Sequence, residues 1–236
     1  MQHLPVASAE ELGESPLWPT LAVLTAATLY ATLPTRFISG HSAGVFGAAR
    51  WIVPALTVLL LAPLVLSVPQ PRLLRSASAR ASALRLSRRI ASLGVIALVS
   101  AANAASIVLL VHLLVNGSKT QANLLLRAGI HMWVTNVLVF ALWFWQLDGG
   151  GPVERRLRSS RARDFLFPQQ TIGESPDRWQ PNFLDYLYLS YTNATAFSPT
   201  DAMPLTTWAK MLMMIQSAAS LVLAIMVVAR AVNILR

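Results

Sequence analysis

The chain has 236 residues, of which 55% are hydrophobic and 12% charged, where a soluble domain carries about a quarter charged residues. It has no cysteine, which excludes disulfides, thiolate metal sites and cysteine catalysis. The formal charge of +9 comes almost wholly from arginines placed between long apolar blocks, so it points to anionic lipid headgroups and not to nucleic acid.

Residues 1–16 carry Glu10, Glu11 and Glu14 where a signal peptide would be basic, so a cytoplasmic N-terminal segment is expected there. Four apolar runs follow, at 17–33, 51–68, 90–115 and 129–147. Each is long enough, or nearly so, to cross a hydrocarbon core of about 30 Å at 1.5 Å per residue. Trp18 and Tyr30 stand near the ends of the first run, where amphipathic aromatics settle at headgroup level. Pro54 falls in the first turn of the second run and is tolerated there, Pro63 predicts a kink, and Pro69 and Pro71 close it. Trp143-Phe144-Trp145 ends the fourth run and predicts an aromatic belt at the interface.

Two stretches between the runs are basic. The first holds Arg72, Arg75, Arg80, Arg85, Arg88 and Arg89 with no acid among them. The small and helix-forming residues between these arginines allow a helix that prolongs the third span. Arg72, Arg75, Arg85, Arg88 and Arg89 are the residues expected to hold lipid headgroups. The second basic stretch, within a linker at 148–182, opens with Gly149-Gly150-Gly151-Pro152, a flexible exit, and continues through Arg155, Arg156, Arg158, Arg161 and Arg163. Phe165-Leu166-Phe167-Pro168 reads as an apolar foothold at the interface, and Thr171 to Pro181 as linker. Two spans separate the basic stretches, so both fall on one side of the membrane, and the excess of arginine makes that side cytoplasmic.

Residues 183–236 carry the functional signal. A short aromatic amphipathic segment leads into a Thr-rich loop, Thr192 to Thr206, and then into a long apolar helix. A half-helix, a polar turn and a full helix make the layout of a re-entrant pore loop. Non-helical backbone at membrane depth is tolerated only where it is buried in protein or lines a wet cavity. This quarter of the chain resembles the pore module of the P-loop cation channels, best known from potassium channels. Asp201-Ala202-Met203-Pro204-Leu205-Thr206 matches the D-x-x-P-x-T that follows the family's filter. Tyr186 to Thr195 stands where the pore helix would be, with Thr195 near the filter threonine, and Trp208 to Leu235 stands as the inner helix. The filter itself does not match: both glycines are missing, and Phe197 and Pro199 cannot take the backbone conformations that glycine allows. The remainder is similar to uncharacterised bacterial integral membrane proteins.

The resemblance implies a pore or ion path along Thr192, Thr195, Ser198, Asp201, Gln216 and Ser220, cations as the passing species and a homo-oligomer, plausibly a tetramer. Two arrangements stay open. Residues 183–199 either span the membrane or re-enter from the cytoplasmic side. The plainer reading of the loop is a capped turn, with Thr200 or Asp201 capping the last helix and Pro204 in its first turn. Polar stripes at Asn103 and Ser106, at His131 and Thr135, and at Gln216, Ser220 and Ala224 fit helix packing as well as a pore lining. His112 and His131 read as neutral imidazoles bonded across helices or near the interface.

The chain has no Ser-His-Asp arrangement, phosphate-cradling glycine loop or paired catalytic carboxylates, so no enzyme, cofactor or metal is expected. The expected fold is all-α, a polytopic helical protein of the inner membrane with a four-span scaffold and a C-terminal pore-loop-like hairpin. The expected function is passage of an ion or small solute. The alternative is a non-transporting membrane protein of assembly or interaction.

Overall fold

A computed structural model describes residues 17–33, 51, 54–59, 79–115, 122–156, 163–172, 179–196 and 201–234. These residues are mostly helical. Helix α1 spans Leu17–Thr32, α2 Ala79–Val115, α3 Ala122–Leu147, α4 Pro152–Arg156, α5 Gln169–Ile172, α6 Phe183–Ala196 and α7 Thr207–Ile234. Strand β1 (Phe165–Leu166) pairs antiparallel with β2 (Met203–Pro204), Phe165 opposite Pro204 and Leu166 opposite Met203. Arg72, Arg75, Ser198 and most of the apolar run at 51–68 lie outside the described residues. Residues 54–59 are helical, with Thr57 wholly buried.

Three helical stretches, Leu86–Val115, Leu124–Gly150 and Thr207–Ala229, are long and apolar enough to cross a membrane. At 16 residues α1 is shorter. The chain is thus compatible with a helical membrane protein. Helix α2 starts well before its apolar part. Its 37 residues extend about 55 Å at 1.5 Å each, so Arg80, Arg85, Arg88 and Arg89 ride on the helix itself.

Helix α3 is the centre of the bundle, packed against α1, α2, α6 and α7. Side-chain contacts fix the directions. Gln146 Nε2 donates to Ser92 Oγ at 2.6 Å and Trp143 Nε1 to Ser100 Oγ at 2.8 Å, so α2 runs antiparallel to α3, with its Ser92–Ser100 stretch beside the C-terminal end of α3. Ala22 and Val23 of α1 pack with Val95, Ala141 and Leu142, while Tyr30 and Leu33 pack with Leu110, Leu125 and Met132. Along α7, Ala209 and Met213 meet Phe144, and Leu223 meets Leu125 and Met132. Gly129 makes room for the last part of α7, since a Cβ there would lie 2.5 Å from Val227 Cγ2. One end of the bundle, the base, therefore gathers the C-terminus of α3 and the N-terminal parts of α1, α2 and α7, together with Arg88, Arg89 and Arg155.

Several local expectations are corrected. Phe144 is not part of a lipid-facing belt: it is wholly buried, ring to ring with Phe165 at 5.2 Å. Phe165 and Phe167 are not a foothold on the membrane surface but a plug in the base, edge-on to Tyr186. The supposed linker contains α5, whose Thr171 Oγ1 bonds back to Pro168 O. Asp201 does not cap the last helix and Pro204 is not in its first turn, while Thr200 lies outside the described residues. Helix α7 begins at Thr207 because Met203 and Pro204 are held in the strand pair.

Candidate functional site

The site is the hairpin formed by α6, the loop after it and α7. Helix α6 starts at the base through a reciprocal cap: Asn182 Oδ1 accepts from Leu184 N at 2.8 Å, and Asp185 Oδ2 accepts from Asn182 N at 2.7 Å. Phe183 lies edge-on to Trp145 at 6.1 Å. Farther along, Ser190 Oγ donates to Val137 O at 2.7 Å, and Tyr191 meets Trp133 edge-on at 5.9 Å. The 14 residues of α6 climb about 21 Å and stop within the length of α3. The chain is back at the base by Ala202 and Met203. Leu205 N donates to Asp164 O at 2.8 Å, and α7 departs from there. Both ends of the hairpin thus sit at the same end of the bundle.

Beside α6 the core is polar and hydrogen-bonded. Gln216 is wholly buried: its Nε2 donates to Ser190 O at 2.9 Å and to Ser190 Oγ at 2.7 Å, and its Oε1 accepts from Asn193 Nδ2 at 2.8 Å. Asn193 Nδ2 also donates to Met213 O, and Ser217 Oγ donates to Asn193 O. From α3, Asn136 Nδ2 donates to Ser220 Oγ at 3.0 Å. Such groups are costly in an apolar slab unless paired. Here they pin the half-helix to α3 and α7.

The base is built on two aspartates. Asp148, 1% exposed, accepts from Asp164 N and Phe165 N through Oδ1, and from the Tyr186 hydroxyl through Oδ2. Asp164 answers with Oδ2 to Gly149 N at 2.9 Å and Oδ1 to Trp208 Nε1 at 2.8 Å. A hydrogen-bonded path therefore runs from α6 through both carboxylates to α7. The chain can turn back after α3 because Gly149, Gly150 and Gly151 take φ of 57°, 87° and 104°. Arg155 turns inward with them. Its Nη1 donates to Trp145 O and Asp148 O, both at 2.7 Å, and its guanidinium lies 5.0 Å over the Tyr186 ring. Its Nη2 is buried without a hydrogen-bond partner, as are Gln170 Nε2 and Thr206 Oγ1.

The expected path residues divide. Thr192 is buried, its hydroxyl bonded to Tyr188 O and Leu189 O at 3.0 Å. It lines a cleft of about 40 Å³ with Asp185, Tyr188, Gln169 and Asp201. Asp201 is exposed, and Thr195 is exposed with its hydroxyl bonded to Tyr191 O at 2.9 Å. Gln216 and Ser220 belong to the buried network and do not share the cleft. Ala224, the third member of their stripe, is exposed. Asp185, outside the three long apolar stretches, has its carboxyl pushed up by burial, with backbone amides at Asn182 and Asp185 pulling it down. His131 Nδ1 is 3.5 Å from Thr32 Oγ1, at the limit of a hydrogen bond. Among the described residues, no three His, Asp or Glu side chains converge as a metal site would require. Asn136 and Asp164 were not singled out in the sequence, and Asp148, Arg155 and Tyr186 were read only as parts of a linker, a basic stretch and the half-helix, with no sign that they meet. The signal for Asp148 was an acid directly before three glycines in an acid-poor chain.

Compared with protein-family models, curated proteins and solved structures, the chain finds no match, so its function is inferred from its own geometry.

Proposed function

We propose that the protein conducts small cations across a bacterial inner membrane, as a homo-oligomer whose C-terminal hairpin re-enters the bilayer from the cytoplasmic side. The observation that carries this reading is the shape of the hairpin: a half-helix with both connections at the arginine-bearing end of the bundle. Arginines belong on the cytoplasmic side, where Arg88 and Arg89 are placed to meet anionic headgroups. A half-helix that stops inside the apolar slab leaves its last carbonyls there. Such backbone persists only when covered by protein or wetted. The carbonyl end of a helix also carries partial negative charge, which favours a cation nearby. Asp201, exposed at the mouth, would raise the local cation concentration. The absence of the two filter glycines argues against a ring of potassium-coordinating carbonyls, so selectivity would rest on side chains.

The test is cation flux in vesicles containing the purified protein. Asp201→Asn removes a mouth charge without touching the buried network, and flux should fall about tenfold or more. Flux equal to that of empty vesicles for the unaltered chain would overturn the reading. It would favour the alternative, a non-transporting assembly protein. That alternative rests on the hydrogen-bonded core at Asn136, Ser190, Asn193, Gln216 and Ser220, which explains those residues by packing alone.

A further inference from the structure

The foot of α6 is seated through a carboxyl group. Asp185, Tyr188, Leu189 and Thr192 stand at i, i+3, i+4 and i+7 and so share one face of the helix. That face closes the cleft of about 40 Å³ against Gln169 of α5 and Asp201 of the loop before β2. Asp185 is half-buried there, and its Oδ2 also accepts from Asn182 N at 2.7 Å, which closes the cap of α6. Burial pushes its carboxyl up, and the backbone amides of Asn182 and Asp185 offset only part of this. Among the described residues lining the cleft there is no Lys, Arg or His, and the other titratable groups are Tyr188 and Asp201. The elements packed on the foot bring no free counter-charge to it. Helices α1 and α3 set Ala22, Val23 and Trp145 against the neighbouring Phe183. Arg155 of α4 is held by Trp145 O, Asp148 O and the Tyr186 ring, Asp148 takes the Tyr186 hydroxyl, and Asp164 takes the Trp208 indole. Helix α7 meets Tyr186 and Leu189 through Ala209 and Met213, with Lys210 exposed to solvent.

We propose that Asp185 is a proton-operated latch on the half-helix: with its carboxyl neutral the foot of α6 stays seated on α5 and the return loop, and with it ionised the cleft opens to water. The neutral group still offers an oxygen to Asn182 N, so the cap survives protonation. The ionised group keeps that bond but holds its charge half-buried, in one cleft with the Asp201 carboxylate. Water entering the cleft relieves both the desolvation and the repulsion. A carboxyl raised by burial binds its proton more tightly when seated than when open. The seat is therefore firmest below the open-state pKa, and it loosens as the pH rises through the seated one. The loosening stays local. Farther along α6, Ser190 and Asn193 hold the helix to α3 and α7 through hydrogen bonds that contain no titratable group. The latch adds control of the mouth beside Asp201 to the conduction proposed above, and does not rest on it.

The absence of cysteine makes the test clean. Thr192→Cys and Ala202→Cys, made singly, place buried reporters on two walls of the cleft. The full-length protein in lipid nanodiscs, where both faces meet the solution, is treated with a water-soluble thiosulfonate from about pH 5 to about pH 8, a range that brackets a raised carboxyl. Each rate is divided by that of the same reporter combined with Asp185→Asn, which removes the pH dependence of the thiol itself. The ratio should be close to unity in acid, where both proteins carry a neutral group, and rise several-fold toward alkaline pH with both reporters. Adding Asp201→Asn to both proteins should reduce the rise without removing it. A ratio flat across the range, or a rise that vanishes with Asp201→Asn, would overturn the latch. Flux in vesicles is scored separately. A pH-operated cleft without flux keeps the latch and removes conduction, and flux with a flat ratio does the opposite.

Discussion

Asp148 shows how much a single side chain can organise. Its carboxylate accepts two backbone amides and the Tyr186 phenol while 1% exposed. Asp148→Asn removes the charge from the acceptor of two amides and turns the oxygen facing Tyr186 into a donor, so that the phenol must accept where it donated. It should lower stability in detergent by about 1.5–3 kcal/mol, the range for hydrogen bonds to charged groups, and Tyr186→Phe by about 1 kcal/mol. Thermal unfolding of the three proteins checks the order, and an Asp148→Asn protein as stable as the parent would refute it. Gly151→Ala should be costly for a different reason. Its φ is 104° and a Cβ would lie 3.0 Å from Gln146 O, a backbone position that costs about 1–3 kcal/mol for other residues. Little of this was legible beforehand. Three glycines after an acid read as a loose exit, because what orders them, Asp164 and Tyr186, is distant in sequence. Asp201 was singled out for its loop, and it is exposed beside the cleft with Tyr188 and Thr192, but the cap expected of it was displaced by the β1–β2 pairing.

At the level of elements, the apolar runs at 90–115 and 129–147 and the last helix are read from hydropathy because a membrane-crossing helix announces its length, whereas α1 is shorter and most of the run at 51–68 lies outside the described residues. The arginine-bearing extension of α2 was legible too, from the small and helix-forming residues between the arginines, while the start of α3 at Ala122 was not. The half-helix was legible as a segment, while its partners were not: Gln216 read as part of a pore lining or a packing stripe, and its bonds to Asn193 and Ser190 need the tertiary structure. Packing of α3 on α7 offers a sharper test. Gly129→Val should push α7 away from α3, since even a Cβ would come within 2.5 Å of Val227. Overpacking of this kind costs about 1–3 kcal/mol. Val227→Ala should recover part of the loss in the double variant. Unfolding midpoints of the single and double variants measure this, and strict additivity would contradict the close approach.

For the whole molecule, the central claim is that the basic end of the bundle and both ends of the hairpin share one side of the membrane. The bundle supports it through antiparallel α2, α3 and α7 and through the tie from Asp148 and Asp164 to Tyr186 and Trp208. The fully spanning arrangement of 183–199 would put the loop before α7 at the opposite end from Asn182. Impermeant maleimide distinguishes the two directly. Single cysteines introduced by Ser159→Cys, Asn182→Cys and Asp201→Cys in this cysteine-free chain are labelled in intact cells and in inverted membrane vesicles. All three should react in inverted vesicles and none in intact cells. Asn182→Cys reacting from the inside and Asp201→Cys from the outside would contradict the re-entrant hairpin and, with it, the path proposed for cations.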